Sequence, residues 1–229
     1  MYKIILFDAD NTLLDFDKAQ YSGFRVVLER YGIVYTDKVY EEYERINHSL
    51  WSAFERGEIG TDYVQTERFS ALFRTLGQNF NGTDANGVYQ EALKEQCQLM
   101  PYALEVCREL STFTTLVIVT NGVGMTQKAR IAKSEIANYI SLVVVSEDVG
   151  FQKPSINFFN EVFSRLNNPN LSDILIVGDS LASDIQGGIN AGIRTCYYVP
   201  ESEGVITDIT PDYVINDLRK LVKIANYNM

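Results

Sequence analysis

The apolar run Ile4–Phe7, which ends in two acids, constrains the fold more than any other stretch of the chain. Four consecutive apolar residues predict a strand that is buried on both faces of a sheet. Asp8 and Asp10 follow at once, and a buried carboxylate is costly unless a cation, donors or water lie close to it. Ligands of open α/β sheets bind at the carboxyl ends of the strands. The stretch therefore predicts a wet, metal-bearing site or, as the plain alternative, an acidic turn.

Further strand patterns occur only in the second half of the chain. They cover residues 115–120, 142–145, 174–178, 196–199 and 213–215, and helical patterns separate them. Unbroken apolar strands that alternate with helices are typical of a parallel sheet with both faces covered. We therefore expect an α/β fold with helices on both faces of a parallel sheet.

A long helical block separates the first strand from the others. Apolar residues such as Phe24, Val27 and Leu28 recur at helical spacing, and Gly32 is well placed to end that helix. Thr36 or Asp37 could cap the next helix. We expect residues 1–15 and 100–229 to form a discontinuous catalytic core, and residues 16–99 to form an inserted helical cap domain.

Composition excludes several functional classes. The chain has 229 residues, a net charge of −10 and a pI near 4.7, so nucleic acid polymers are not expected partners. A small phosphate ester remains possible, because a few local cations can bind it. No apolar stretch approaches the length of a membrane span, and three cysteines without a metal motif indicate reduced thiols. We expect a cytoplasmic protein that is a monomer or weak homodimer.

Polar residues follow the ends of three predicted strands, and Lys153 lies in the loop that enters the helix opened by Ser155. In a parallel sheet these ends lie at one edge, so we expect convergence of the following residues: Asp8, Asp10, Thr120, Asn121, Lys153, Asp179 and Asp184. Four acids, a hydroxyl group, backbone donors and one ammonium group suit phosphoryl transfer with Mg²⁺, which prefers oxygen ligands.

Each of these residues can be given a role in that chemistry. Asp8 could attack phosphorus and form an aspartyl-phosphate. Asp10 could protonate the leaving alkoxide and later deprotonate water. Thr120 and the Asn121 amide could bind two phosphoryl oxygens, while Lys153 neutralises charge on the transferring group.

The order of these motifs resembles the haloacid dehalogenase-like hydrolase superfamily along essentially the whole chain. The motifs are Asp8-Ala9-Asp10-Asn11-Thr12, Thr120-Asn121-Gly122, Lys153 before Pro154, and Gly178-Asp179-Ser180-Leu181-Ala182-Ser183-Asp184. The resemblance implies a Rossmann-like core, an inserted helical cap of the first type and an Asp8 nucleophile. It also implies Mg²⁺ held by the Asp8 carboxylate, the Asp10 backbone carbonyl and the Asp179 carboxylate, with Asp184 as an outer or water-mediated partner.

Two features narrow the expected activity. The family's dehalogenases lack an acid at the position of Asp10, so the resemblance favours the phosphatase branch. Segment 46–51, the turn 57–59 and segment 187–193 look like those of the bacterial house-cleaning pyrimidine 5′-nucleotidases. The expected function is hydrolysis of nucleoside 5′-monophosphates through an aspartyl-phosphate.

Alternatives remain open at this point. The substrate could be another small ester, such as a sugar phosphate or phosphoglycolate. A phospho-Asp signalling module or a catalytically inactive interaction protein would belong to other classes. In the cap, Asn47, His48, Trp51 and Arg68 could face a substrate, or they could pack between helices and meet solvent.

Overall fold

The computed structural model describes residues 1–199 and 208–226, which group into two compact units. One unit comprises Met1–Phe16 and Cys97–Met229, and the other comprises Asp17–Gln96. In chain order, the helices and strands are β1 Ile4–Phe7, α1 Phe16–Arg30, α2 Asp37–Glu55, α3 Thr61–Thr75, α4 Gly82–Leu93, α5 Ala103–Leu110, β2 Thr115–Thr120, α6 Gly124–Lys133, β3 Leu142–Val145, α7 Ser146–Val149, α8 Ile156–Arg165, β4 Ile174–Gly178, α9 Gln186–Ala191, β5 Arg194–Tyr198, β6 Tyr213–Ile215 and α10 Lys220–Asn226.

The first unit is built on a six-stranded sheet in the order β3-β2-β1-β4-β5-β6, and every pair of neighbours is parallel. The predicted α/β class is therefore confirmed. The strand that comes first in the chain lies between β2 and β4, although the helical block separates it from them in sequence.

Strand β1 is buried on both faces because its side chains alternate between two apolar layers. Ile5 and Phe7 pack in one cluster with residues of α5, whereas Ile4 and Leu6 pack in the other with residues of α8. This arrangement explains the unbroken apolar run, since neither face of the strand meets water.

Strand boundaries agree with the sequence patterns except in β5, which spans Arg194–Tyr198 instead of the expected residues 196–199. Three helical elements also differ. The short helices α7 and α10 have no counterpart among the predicted elements. The helix expected after Asp179 begins with a wide turn over Leu181–Ile185, and the side chain of Ser180 accepts a hydrogen bond from the Ser183 backbone at its start. Periodicity does not reveal such a turn, because its spacing departs from 3.6 residues.

The second unit contains helices from α1 to α4 around an aromatic core. Tyr43 packs on Phe24 with ring centroids 4.5 Å apart, and Phe69 lies 5.4 Å from Tyr89. Of the two predicted caps of α2, the Thr36 side chain accepts from the Val39 backbone. Apolar and aromatic burial therefore stabilises this unit, as the helical spacing predicts.

One feature bears on membranes. Among the described residues, no helix combines enough length with enough apolar character to cross a bilayer.

Candidate active site

The central position of β1 places its polar end between those of its two neighbours. Phe7 pairs with Ile118 of β2 on one side and with Val177 of β4 on the other. Asp8 follows Phe7 directly, whereas Thr120 and Asp179 each lie two residues beyond the paired positions. The parallel register therefore brings these three side chains to one edge of the sheet.

Lys153 joins two acids at this edge. Its Nζ atom lies 2.6 Å from Oδ1 of Asp8 and 2.6 Å from Oδ1 of Asp184, and it also donates to the backbone carbonyl of Val119 at 2.9 Å. Lys153 is 1% exposed and Asp184 is fully buried. Burial lowers the pKa of Lys153, but Asp184 and Asp8 outweigh this effect and raise it, so the group stays an ammonium ion.

Asp8, Asp179 and Asp184 form a cluster in which one carboxylate oxygen of each residue lies within 4.8 Å of those of the other two. Burial raises the pKa of Asp8 to about 7, with Asp184 and Asp10 adding to the rise and Lys153 opposing it. Burial and the charges of Asp8 and Asp184 also raise the pKa of Asp179 well above its ordinary value. One ammonium group does not compensate three close carboxylates, and oxygen ligands suit Mg²⁺. The residues thus fit a bound divalent cation.

Asp10 points to a different set of partners from those of Asp8. Nη1 of Arg130 donates to its Oδ1 atom at 2.5 Å, and Nε2 of Gln127 donates to its Oδ2 atom. Gln127 is 2% exposed and Arg130 is 1% exposed. Both oxygens of Asp10 are therefore held by donors from helix α6.

The hydroxyl group of Thr120 already accepts two hydrogen bonds. The backbone N–H of Gly122 donates to its Oγ1 atom at 3.0 Å, and Nε2 of Gln127 donates at 3.2 Å. A hydroxyl group offers two acceptor sites and one proton. With both acceptor sites used, the proton is oriented away from these donors and can be donated to an anion.

Asn121 fixes the loop that carries the lysine. Its side-chain oxygen accepts from the backbone N–H of Lys153 at 2.9 Å, and its side-chain nitrogen donates to the carbonyl of Lys153 at 3.0 Å. This reciprocal pair joins the end of β2 to the loop before α8. The Asn121 side chain therefore positions Lys153.

The seven residues predicted for the site all lie at this edge of the sheet, and two further residues join them. Gln127 and Arg130 had no expected role, since polar residues on a helix more often face solvent. Their spacing of three residues places them on one helix face. One sequence signal could have indicated them. Both residues lie on α6, the helix that directly follows the polar end of β2.

The four candidate residues of the helical block lie in the second unit and differ in exposure and contacts. His48 is exposed and Trp51 is half-buried, with its ring 5.5 Å from that of Phe54. Asn47 is buried and donates to Gln20 at 2.7 Å. Arg68 is 1% exposed, its guanidinium lies 4.9 Å from the Tyr89 ring, and its Nε and Nη2 atoms have no hydrogen-bond partner. Arg68 is therefore not a solvated charge.

Comparison with known proteins gives consistent matches along the chain. A family described as haloacid dehalogenase-like hydrolase matches residues 5–198. The HAD-hydrolase YfnB of Bacillus subtilis is 39% identical, and the match covers 98% of this chain and 96% of YfnB. The magnesium-bound crystal structure of YfnB superposes with a TM-score of 0.93 at 38% identity, covering 99% of each chain.

Two further relatives have a named activity. The pyrimidine 5′-nucleotidase YjjG of Escherichia coli is 30% identical over 96% of each chain. The pyrimidine 5′-nucleotidase PynA of Streptococcus pneumoniae is 32% identical, and the match covers all of this chain and 97% of PynA. These similarities span both units of the molecule.

Proposed function

The chain belongs to the haloacid dehalogenase-like hydrolase family, and on this premise we propose that it is a Mg²⁺-dependent nucleoside 5′-monophosphate phosphatase. The observation that carries the proposal is the cluster of Asp8, Asp179 and Asp184 beside Lys153, in which one carboxylate oxygen of each acid lies within 4.8 Å of the others. Such a cluster can bind a cation and, with that cation, a phosphate dianion.

The carboxylates of Asp8 and Asp179 would hold Mg²⁺ together with the backbone carbonyl of Asp10, and Asp184 would be an outer partner. When bound, the cation supplies positive charge that lets a carboxylate approach a phosphate dianion without prohibitive repulsion. Lys153 opposes the rise in the Asp8 pKa, orients the Asp8 carboxylate through its 2.6 Å contact and adds positive charge close to the transferring group.

In the first step, a carboxylate oxygen of Asp8 forms a bond to phosphorus while the bond from phosphorus to the ester oxygen breaks. The electron pair of the broken bond stays on the ester oxygen, which takes a proton from Asp10. The alcohol leaves, and an aspartyl-phosphate remains on Asp8. The Thr120 hydroxyl and the Asn121 backbone N–H donate to the phosphoryl oxygens during this transfer.

In the second step, water attacks phosphorus and gives a proton to Asp10. The bond from phosphorus to the Asp8 oxygen breaks, which releases phosphate and regenerates the Asp8 carboxylate. The two acids of β1's polar end thus have separate roles, since Asp8 changes bonds with phosphorus and Asp10 moves the proton.

The choice of nucleotide rests on relatives rather than on geometry. YjjG and PynA, at 30% and 32% identity over nearly the whole chain, are both named as pyrimidine 5′-nucleotidases. We propose that the helical unit Asp17–Gln96 serves as the cap that selects the organic part of the substrate. Cys97, Cys107 and Cys196 are free thiols, which supports a reducing cytoplasmic location.

Phosphate release in the presence of Mg²⁺ tests this proposal. We expect uridine and thymidine 5′-monophosphates to be hydrolysed with higher kcat/KM than glucose 6-phosphate or phosphoglycolate. Asp8→Asn should abolish turnover, whereas the exposed Asp148→Asn should leave it unchanged. Preference for a sugar phosphate would overturn the nucleotidase assignment, and Mg²⁺-dependent turnover by Asp8→Asn would overturn the nucleophile.

A further inference from the structure

Helix α6 carries a pair of buried polar side chains that hold a single carboxylate. Arg130 donates to Oδ1 of Asp10 at 2.5 Å, and Gln127 donates to Oδ2 of the same group. Nη1 of Arg130 also donates to Oε1 of Gln127 at 3.1 Å. Gln127 and Arg130 are therefore hydrogen-bonded to each other as well as to Asp10, and both carboxylate oxygens of Asp10 have a donor.

Packing restricts this pair to one arrangement. The Arg130 guanidinium lies 5.4 Å from the centre of the Phe16 ring, which covers one of its faces. A Cβ atom at Gly122 would overlap the Gln127 side chain, so the glycine of this turn leaves room for the glutamine. Both side chains are at least nine-tenths buried, and neither can rotate freely.

Gln127 also joins Asp10 to the residue that would bind the phosphoryl group. Its Nε2 atom carries two protons, one donated to Asp10 and the other to Oγ1 of Thr120 at 3.2 Å. The spacing between the Asp10 carboxylate and the Thr120 hydroxyl is thus set by a single planar amide.

We infer that Gln127 and Arg130 are positioning residues, which hold the Asp10 carboxylate at a fixed place relative to the Thr120 hydroxyl so that it meets the leaving-group oxygen. The inference rests on the proposed phosphatase function and extends it to two residues on α6. Misplacement by about 1 Å can cost a proton-transfer step about 100-fold in rate. A purely structural ion pair would stabilise the fold without any preference for one leaving group.

The leaving group separates these two roles. Uridine 5′-monophosphate releases an alkoxide, which needs a proton from Asp10, whereas p-nitrophenyl phosphate releases a stable phenolate, which does not. In single-turnover experiments with excess enzyme, we expect Arg130→Met and Gln127→Leu to lower the rate of uridine release from the nucleotide about 100-fold and of p-nitrophenolate release from the aryl ester less than about fivefold, since general acid catalysis contributes about 10²–10⁴. This first step is measured apart from hydrolysis of the aspartyl-phosphate, in which Asp10 accepts a proton from water whichever ester was cleaved. KM should change little for either ester.

Matched variants make the test independent of folding. Lys128→Met alters an exposed residue of the same helix, paired with Asp148, and should leave both rates unchanged. Arg130→Lys retains a cation and should recover part of the nucleotide activity if Arg130→Met does not fold. Thermal unfolding of each variant checks the fold.

Equal losses in the rate of leaving-group release from both esters, or an increase in KM alone, would overturn the inference. Failure of the proposed function has a different signature, because wild-type protein would then hydrolyse neither uridine 5′-monophosphate nor any other alkyl phosphate. If the wild type prefers another alkyl ester, such as glucose 6-phosphate, the same comparison with the aryl ester is made on that substrate.

Discussion

The carboxylate of Asp184 occupies the space that a side chain at Gly178 would need, since an added Cβ would overlap its Oδ2 and Cγ atoms. Asp184 cannot move away at low cost. Its Oδ2 atom accepts from the Ser180 backbone at 3.1 Å, and its Oδ1 atom accepts from Lys153 at 2.6 Å. The last residue of β4 is therefore a glycine because an acid packs directly against it.

Gly178→Ala should lower the free energy of unfolding by about 1–3 kcal/mol, as expected when a methyl group is forced into a filled space. Turnover should fall at least tenfold, because a displaced Asp184 moves Lys153 with it. Chemical denaturation and phosphate release measure the two effects. Gly87→Ala is the control, since Gly87 has open space around it in α4, and it should stabilise by about 0.5–1 kcal/mol. A neutral Gly178→Ala would contradict the packing argument.

Removal of the Lys153 charge should destabilise the protein strongly. Lys153→Met leaves Asp8 and Asp184 buried without their cation, and loss of one partner from a buried pair costs about 3–5 kcal/mol. Adding Asp184→Asn removes one of the two buried carboxylates that lack a cation in Lys153→Met, so the double variant should be more stable than Lys153→Met alone. A double-mutant cycle in urea measures this coupling. Strictly additive effects would mean that the 2.6 Å contact contributes nothing.

Metal binding should be visible in stability as well as in activity. Mg²⁺ at about 100 times its dissociation constant should stabilise wild-type protein by about 2.7 kcal/mol, and chelation should abolish both this gain and turnover. Asp179→Asn should lose the response to Mg²⁺ because it lacks a proposed ligand. Thermal unfolding with and without Mg²⁺ is the measurement, with exposed Asp148→Asn as the control. An unchanged response in Asp179→Asn would place the cation elsewhere.

The raised pKa of Asp179 predicts that the free energy of unfolding of the metal-free protein depends on pH. Burial raises the pKa of Asp179 in the folded state above its ordinary value of 3.8, so the folded state binds more protons than the unfolded state above that pH. The contribution of Asp179 to the free energy of unfolding therefore falls as pH rises above 3.8. Asp179→Asn should match wild type near pH 4 and become progressively more stable than it up to pH 7. Urea unfolding in chelator at several pH values measures the difference, and parallel curves would contradict the prediction.

Much of the fold could be predicted because burial leaves a direct mark on sequence. The run Ile4–Phe7 has no polar residue because its alternate side chains enter two apolar layers. Gly32, Gly57 and Gly77 have φ values of +63°, +74° and +66° after their helices, as expected of residues that end helices. The short helices α7 and α10 left no such mark, since fewer than two turns show little periodicity.

The candidate site could be predicted where residues follow strand ends and not where they act across space. Asp8, Thr120 and Asp179 are found by position, because a parallel sheet brings its strand ends to one edge. Arg68 and Arg130 do not follow a strand end, so their position in the sequence does not place them. Sequence alone does not distinguish a guanidinium that faces water from one that is 1% exposed, because its surroundings come from distant segments.

The sequence by itself determined the parallel sheet, the placement of the acids at its edge and the motifs of the family. Only the tertiary structure decided how the charges are paired. Lys153 lies between Asp8 and Asp184, 145 and 31 residues away, whereas Arg130 reaches Asp10 across 120 residues. Strand character depends on neighbouring residues and their spacing. Pairing of buried charges depends on which segments meet in space, because each ion needs a partner that excludes water from it.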